Sequence, residues 1–125
     1  MITALIVEDE SLSSDRLRKQ LESLSYGVEV VGVADSVLAA TQWLRDESQP
    51  DVVFMDIQLN DGTGFDILRS SKLDCPVIFT TAYDEYAIKA FRFNSIDYLL
   101  KPISVDDLNR SVEKFLELNK NDADV

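Results

Sequence analysis

The sequence predicts an α/β fold in which five parallel strands form one sheet with helices on both faces. Continuous apolar runs bounded by turn residues recur at 2–7, 28–34, 51–55, 76–81 and 96–100. The stretches between them place apolar residues at intervals of three and four, as on one face of a helix. Strands that alternate with helices form parallel sheets, whose strands are covered on both faces and therefore apolar throughout. A chain of 125 residues is long enough for one domain with a single core.

Five helices are predicted after these strands, and the fourth covers about 84–92. The apolar spacing of the others is carried by Leu17, Leu21 and Leu24 in the first, which starts at Leu12, by Val37, Ala40 and Leu44 in the second, by Phe65 and Leu68 in the third, and by Leu108, Val112 and Phe115 in the last. Ser36 is expected to cap the second helix, and Ser104 to cap the last, with Asp107 completing a capping box. The polar stretch 119–125 is expected to be a frayed end.

The composition excludes several classes of function. Twelve basic residues face 23 acidic ones, a net charge of −11, so this chain itself is not expected to bind nucleic acid. No apolar stretch is long enough to span a membrane, and residues 1–8 lack the basic start of a signal peptide, so a cytoplasmic protein without a membrane partner is expected. The chain has no histidine and a single cysteine, Cys75, which disfavours zinc sites and thiol catalysis.

Charged residues stand at the ends of three predicted strands. Glu8 and Asp9 follow the first strand, Asp56 ends the third, and Lys101 follows the fifth. Each has an ordinary explanation when taken alone, because acids favour helix starts and solvated carboxylates often precede turns. Ligands of open parallel sheets, however, bind outside the carboxyl ends of the strands. The coincidence on three strand ends therefore predicts one site that contains all four side chains.

Three carboxylates and one lysine suit a divalent cation and a phosphoryl group. Clustered carboxylates repel one another unless a cation compensates them, and Mg²⁺ takes one or two carboxylates together with a phosphate oxygen. Asp56 is the candidate nucleophile, which would form an aspartyl phosphate, and Lys101 would neutralise the phosphoryl oxygens. The chain has no G-x-x-x-x-G-K-[ST] loop for a nucleoside triphosphate, and the acidic segment 8–10 would repel a flavin phosphate.

At these residues the chain resembles the receiver domain of two-component response regulators. The matching residues are Glu8-Asp9, Asp56, Thr81-Ala82 and Lys101-Pro102. The segments 80–87 and 93–102 are similar to receivers of LytTR-type (LytR/AlgR) regulators, which carry a C-terminal DNA-binding domain. The resemblance implies a flavodoxin-like (βα)5 fold with strand order 2-1-3-4-5 and a cis peptide bond before Pro102.

The resemblance also implies a role for each site residue. Asp56 would accept a phosphoryl group from the phosphohistidine of a sensor histidine kinase, with Lys101 and Thr81 assisting the transfer. The implied magnesium ligands are Asp9, Asp56 and the backbone carbonyl of Gln58, with Glu8 acting through water. Thr81 would donate its hydroxyl to the phosphoryl group, and Tyr98 would be the aromatic switch residue that changes rotamer.

Related receivers dimerise through the fourth helix, fifth strand and fifth helix, so a homodimer on phosphorylation is the expected readout. The aromatic residues of 83–93 are equally compatible with an exposed patch and with core packing. Residues 1–120 are expected to be the receiver domain, and 121–125 a polar tail that begins a linker to a DNA-binding effector domain absent from this chain. A stand-alone receiver that acts through protein–protein contacts is the alternative.

Two other functions compete with this prediction. A haloacid-dehalogenase-like phosphatase also uses an aspartyl nucleophile with magnesium, but it needs an acid two residues later, where this chain has Gln58. A glutamine cannot protonate a leaving group, so no enzymatic activity beyond the domain's own phosphoryl transfer and dephosphorylation is expected. A binding module with an inactive pocket is disfavoured because every residue of the expected pocket is present.

Overall fold

The computed structural model describes residues 1–71, 73–82 and 97–123, and it contains the predicted parallel sheet. The strands are β1 (Ile2–Val7), β2 (Val28–Ala34), β3 (Val52–Asp56), β4 (Val77–Thr81) and β5 (Asp97–Leu100). Their order across the sheet is β2-β1-β3-β4-β5, and every neighbouring pair is parallel. The predicted fold class and strand order are therefore confirmed.

Four helices are described, and they account for the remaining regular structure together with one short hairpin. The helices are α1 (Ser11–Glu22), α2 (Val37–Asp46), α3 (Gly64–Ser70) and a C-terminal helix (Val105–Ala123). The hairpin pairs Gln58–Leu59 with Gly62–Thr63. The predicted fourth helix, 84–92, lies outside the described residues, as does the aromatic stretch 83–93. No helix in the described part of the chain is long and apolar enough to cross a membrane.

The C-terminal helix is longer than the sequence pattern indicated. It continues to Ala123, so the prediction of a frayed end from residue 119 is wrong up to Ala123. The polar residues of 119–122 include neither glycine nor proline, and nothing in their backbone chemistry stops a helix that is already formed.

Two apolar clusters cover the two faces of the sheet. The face under α2 and α3 buries Leu44, Phe65, Ile67 and Phe79, with the rings of Phe65 and Phe79 at a centroid distance of 5.1 Å. The face under α1 and the C-terminal helix buries Leu17, Leu21, Leu108, Val112 and Phe115. Burying these side chains is the main source of stability, at about 1.5–3 kcal/mol for each large aliphatic or aromatic group. The central strands β1, β3 and β4 lie between the clusters.

The edge strand β2 does not follow the expectation of cover on both faces. Val31 and Val33 are 41% and 37% exposed, because β2 has a neighbour on one side only and the helices cover it incompletely. Its pairing with β1 is also shifted by an irregularity at Ala4–Leu5. At this edge the Trp43 indole packs on Gly32, where an added Cβ would lie 2.7 Å from Trp43 Nε1.

The helix starts agree in part with the predicted caps. The Ser36 hydroxyl accepts a hydrogen bond from the Ala39 N–H at 2.9 Å, and the Ser104 hydroxyl accepts one from the Asp107 N–H at 3.1 Å. Of the capping box predicted at Ser104, the bond from the Asp107 N–H to the Ser104 hydroxyl is present. The Asp107 carboxylate pairs with Arg110.

A complete capping box, which the sequence analysis did not identify, starts α3 between Thr63 and Asp66. Leu12 lies in the first turn of α1, as expected, with its side chain 78% exposed, whereas Leu24 lies beyond the last helical residue, Glu22, and packs partly buried against the cluster under α1. The spacing therefore extended the predicted first helix beyond its observed end at Glu22.

Candidate functional site

The charged residues predicted from the strand ends meet at the carboxyl edge of the sheet. Val7 of β1 lies opposite Met55 of β3, so Glu8 and Asp56 leave their strands side by side. Lys101 comes directly after β5 and reaches both carboxylates across the end of β4. The parallel register thus brings together residues that are 45 and 93 positions apart in the sequence.

Three carboxylates form the centre of this site. Oxygen atoms of Glu8, Asp9 and Asp56 all lie within 4.8 Å of one another. Glu8 and Asp56 are each only 5% exposed, and Asp9 is partly buried. Burial, together with the hydrogen bond and negative charge of Glu8, raises the pKa of Asp9 above its ordinary value. The cluster therefore favours proton or cation uptake, as expected for like charges held close together.

Lys101 supplies the positive charge of the site. Its ammonium group donates to Glu8 Oε1 and, at 2.8 Å, to Asp56 Oδ2. Burial alone would lower the pKa of Lys101, but the hydrogen bonds and charges of Asp56 and Glu8 outweigh it and raise that pKa above its usual value. The lysine is consequently protonated at neutral pH, and its charge is held at the carboxylate predicted to be the nucleophile.

The loop after β3 approaches Asp56 from the other side. The Gln58 N–H donates to Asp56 Oδ1 at 3.1 Å, and the Gly64 N–H donates to the Ile57 carbonyl at 2.8 Å. A Cβ at Gly64 would lie 2.7 Å from the Asp56 carbonyl oxygen, so this close approach requires glycine. The role of Gly64 was not predicted from the sequence, although its position directly before the apolar face of α3 is a readable signal.

Thr81 and Tyr98 lie on the two neighbouring strands β4 and β5. Thr81 is fully buried, and its backbone carbonyl accepts the Lys101 N–H at 2.7 Å, which fixes the start of the lysine loop. Tyr98 is partly buried against the cluster under α2 and α3. The bond between Lys101 and Pro102 is cis, as expected. The switch roles of Thr81 and Tyr98 stay predictions.

The donor set fits a hard divalent cation such as Mg²⁺. Two oxygens bound to one Mg²⁺ lie about 3 Å apart when adjacent and about 4.2 Å apart when opposite, given metal–oxygen distances of about 2.1 Å. The oxygens of Glu8, Asp9 and Asp56 all lie within 4.8 Å of one another, close to this range, so the cluster can hold one ion either directly or through water. An all-oxygen set is typical of magnesium or calcium sites rather than zinc sites.

A cavity of about 260 Å³ opens beside Lys101, between α1 and the loop after β5. Glu8, Arg16 and Lys101 contribute its charged lining, and Leu17 and Ile103 contribute apolar lining. The Gln20 side-chain amide donates to the Ile103 carbonyl at 3.0 Å and so ties α1 to this loop. Glu8 and Lys101 are therefore reachable from the α1 side, whereas Asp9 and Asp56 do not line this cavity.

Comparisons with known proteins agree with this geometry. Residues 4–113 match the family model for the response regulator receiver domain. The chain is 41% identical over 118 residues to the sensory transduction protein LytT of Bacillus cereus, which covers 92% of this chain and 47% of that protein. It is also 41% identical over 122 residues to an uncharacterized response regulatory protein of Vibrio parahaemolyticus, which covers 96% of this chain and 48% of that protein.

A solved structure with the same architecture is the signal receiver domain of a modulated diguanylate cyclase from Desulfovibrio desulfuricans. The two chains share 34% of their residues with a TM-score of 0.83, and the alignment covers 98% of each. The present chain spans about half the length of the curated relatives it matches. The match to the family model, together with these likenesses, shows that the chain belongs to the response regulator receiver family.

Proposed function

We propose that this domain is a phosphorylation-controlled switch in the cytoplasm, which accepts a phosphoryl group on Asp56 from a sensor histidine kinase with Mg²⁺ as cofactor. The observation that carries the proposal is the surroundings of the Asp56 carboxylate. One of its oxygens faces the Lys101 ammonium at 2.8 Å, the other faces the Gln58 N–H at 3.1 Å, and two further carboxylates stand beside it. A nucleophile, a fixed positive charge and oxygen ligands for a cation are thus within one small volume.

The transfer follows from these positions. An oxygen of the Asp56 carboxylate attacks the phosphorus of the kinase's phosphohistidine, and a P–O bond forms as the P–N bond breaks. The electron pair of the broken bond returns to the imidazole nitrogen of the kinase, which takes up a proton, and the product is an acyl phosphate on Asp56. Lys101 neutralises charge on the phosphoryl oxygens throughout. The domain catalyses only this transfer and its own later hydrolysis.

A bound Mg²⁺ supplies the positive charge that allows a phosphoryl group to approach three carboxylates. Asp9 and Asp56 would hold the ion directly, the Gln58 carbonyl would be the backbone ligand, and Glu8 would act through water. The described positions of Glu8, Asp9 and Asp56 support this assignment.

The readout is proposed to begin at Thr81 and Tyr98. The Thr81 hydroxyl would turn to the new phosphoryl oxygens, and Tyr98 would fill the space that it leaves on the neighbouring strand. The resulting surface change would favour a homodimer through the fourth helix, β5 and the C-terminal helix. In a longer protein like the LytT sensory transduction proteins, this change would control a DNA-binding domain. A modification shifts such an equilibrium only by its different affinity for the two states.

Acetyl phosphate and intact-mass measurement test the proposal directly. In the presence of Mg²⁺, the wild-type chain should gain one phosphoryl group and Asp56→Asn should gain none, because an amide is not a nucleophile for this transfer. Asp46→Asn, which changes an exposed acid at the end of α2, is the matched control and should label like wild type. Labelling of Asp56→Asn at the wild-type level would contradict the assignment of the phosphoacceptor.

A further inference from the structure

Asp61 forms a contact that the proposed chemistry does not use. It stands at the turn of the short hairpin after Asp56, and both oxygens of its carboxylate accept hydrogen bonds from the start of α2. The Val37 N–H donates to Oδ1 at 2.7 Å and the Leu38 N–H to Oδ2 at 3.1 Å. Ser36 already provides α2 with its local cap. The acid 24 positions later therefore adds a second cap from a different part of the chain.

The hairpin that carries Asp61 has little stability of its own. It contains two residue pairs, Gln58 with Thr63 and Leu59 with Gly62. Isolated two-stranded hairpins are marginally stable in water even when they are longer. The geometry of this hairpin consequently depends on contacts with the rest of the domain.

Such contacts hold the hairpin at both of its ends. At its base, the Gly64 N–H donates to the Ile57 carbonyl at 2.8 Å, and the Gln58 N–H donates to Asp56 at 3.1 Å. At its turn, Asp61 is bound to the first residues of α2. Gln58 belongs to the base and pairs with Thr63 across the hairpin, so a loss of the contact at the turn leaves the hairpin, and the Gln58 peptide within it, without its support from α2.

We propose that Asp61 is a positioning residue for the cation site, because its bonds to α2 hold the hairpin that orients the Gln58 peptide. This inference rests on the proposed function, in which the Gln58 carbonyl is the backbone ligand and its N–H orients the Asp56 carboxylate. Asp61 does not touch the cation in this arrangement. It reduces the freedom that Gln58 would otherwise lose when the ion binds, and a ligand that is ordered in advance binds more tightly.

The electrostatics of the contact are consistent with this role. A carboxylate at a helix N-terminus is favoured by the helix dipole. The two backbone N–H bonds from Val37 and Leu38 lower the pKa of Asp61 below its ordinary value. Asp61 is exposed, so water can replace it at the two N–H groups when it is removed. We therefore expect a substitution there to leave the domain folded and to act mainly on the hairpin.

The test compares Mg²⁺ affinity in the wild-type chain, Asp61→Ala, Asp61→Asn and Asp35→Asn by calorimetric titration. Asp61→Ala removes both hydrogen bonds to α2 and should raise the dissociation constant about two- to tenfold, because only part of their free energy is passed on to the ordering of Gln58. Asp61→Asn keeps one acceptor oxygen and should have a smaller effect. Asp35 is an exposed acid immediately before Ser36 and outside the hairpin, so Asp35→Asn removes the same charge from the same region.

Amide hydrogen exchange in the metal-free protein is the second measurement. Asp61→Ala should speed exchange at Val37 and Leu38, which lose their acceptor, and also at Gln58, whose bond to Asp56 depends on the position of the hairpin. Unchanged exchange at Gln58, an unchanged Mg²⁺ affinity, or an equal loss of affinity in Asp35→Asn would each overturn the inference. A wild-type chain that does not bind Mg²⁺ would instead overturn the cation site in the proposed function, so the two failures are distinct.

Discussion

Ion pairs occur in this molecule in two opposite settings. At the carboxyl edge of the sheet, Lys101 pairs with Glu8 and Asp56, whose side chains are 5% and 7% exposed. On α3, Arg69 pairs with Asp66 at 2.6 Å, and both side chains are about half exposed (51% and 47%). Both sets pair a basic side chain with carboxylates, but the first depends on the whole fold and the second joins residues three positions apart.

The difference lies in the balance of charge as well as in burial. The surface pair on α3 joins one acid to one base, and the Asp66 carboxylate also belongs to the capping box of its helix. At the buried site one lysine faces three carboxylates, which leaves a net negative charge in a place with little solvent. An arrangement that is unfavourable for stability and organised for binding is typical of functional sites. The following predictions test this contrast, beginning with the largest effect.

Lys101→Met should have the largest effect on stability, because it removes the charge that compensates Glu8 and Asp56 and keeps a side chain of similar length. In the absence of divalent cations we expect the free energy of unfolding to fall by about 1–3 kcal/mol, less than the full cost of breaking a wholly buried pair because Lys101 is 23% exposed. Urea denaturation at neutral pH measures this change, and phosphorylation by acetyl phosphate should be lost in the same variant.

Lys114→Met is the matched control for that experiment. Lys114 pairs with Asp97 at 3.6 Å, and its side chain is 57% exposed. Its removal should change the free energy of unfolding by less than about 0.5 kcal/mol. An equal loss of stability in both lysine variants would mean that the buried site does not depend on Lys101 for charge compensation.

Asp9→Asn should have a smaller effect of the opposite sign. The pKa of Asp9 is raised in the folded state, so the folded protein holds the proton more tightly than the unfolded chain. Ionised Asp9 therefore destabilises the fold above its raised pKa, and this cost disappears as the pH falls below about 3.9, the ordinary value for aspartate. We expect the metal-free variant to melt at a higher temperature than wild type at pH 7, and the two to converge in acid.

Magnesium should reverse the order of the melting temperatures of wild type and Asp9→Asn. A cation that binds only the folded state stabilises it by mass action, and Asp9 is one of its proposed ligands. Thermal melts with millimolar Mg²⁺ should therefore show a larger gain for wild type than for Asp9→Asn. If neither protein gains from Mg²⁺, the carboxylate cluster is not a metal site under these conditions.

Arg110→Ala should have the smallest effect. Arg110 pairs with Asp107 on the first turns of the C-terminal helix, and its side chain is 72% exposed. Double-mutant cycles on exposed pairs give about 0.2–1 kcal/mol, and salt screens the interaction further. The melting temperature should thus change little, and any change should vanish at high salt. A loss as large as that of Lys101→Met would contradict the distinction between the two settings.

The sequence was informative where one rule acts on many residues. Continuous apolar runs predicted the buried central strands. The rule that ligands bind at the carboxyl ends of parallel strands predicted that Glu8, Asp9, Asp56 and Lys101 share one site. An apolar run cannot reveal which strand lies at the edge of the sheet, so the exposure of Val31 was not predicted.

Contacts between distant parts of the chain were also not predicted from the sequence. Asp61 caps a helix that begins 24 residues earlier, and no local pattern marks such a partner. Gly64 is required by the nearness of the Asp56 carbonyl, which depends on the folded path of the loop. The capping box of Thr63 and Asp66 has a readable spacing, but the helix it starts is only seven residues long and gives a weak periodic signal.

The contact between Trp43 and Gly32 has an optical consequence. Trp43 is the only tryptophan in the chain, and its indole rests on β2 at the edge of the sheet, whereas the carboxylate site lies at the strand ends of β1, β3 and β5. Its emission therefore reports whether this edge is packed, largely independently of the chemistry at Asp56. A fluorescence signal that follows the edge strand and a mass signal that follows the phosphoryl group can thus be recorded separately from one unlabelled protein.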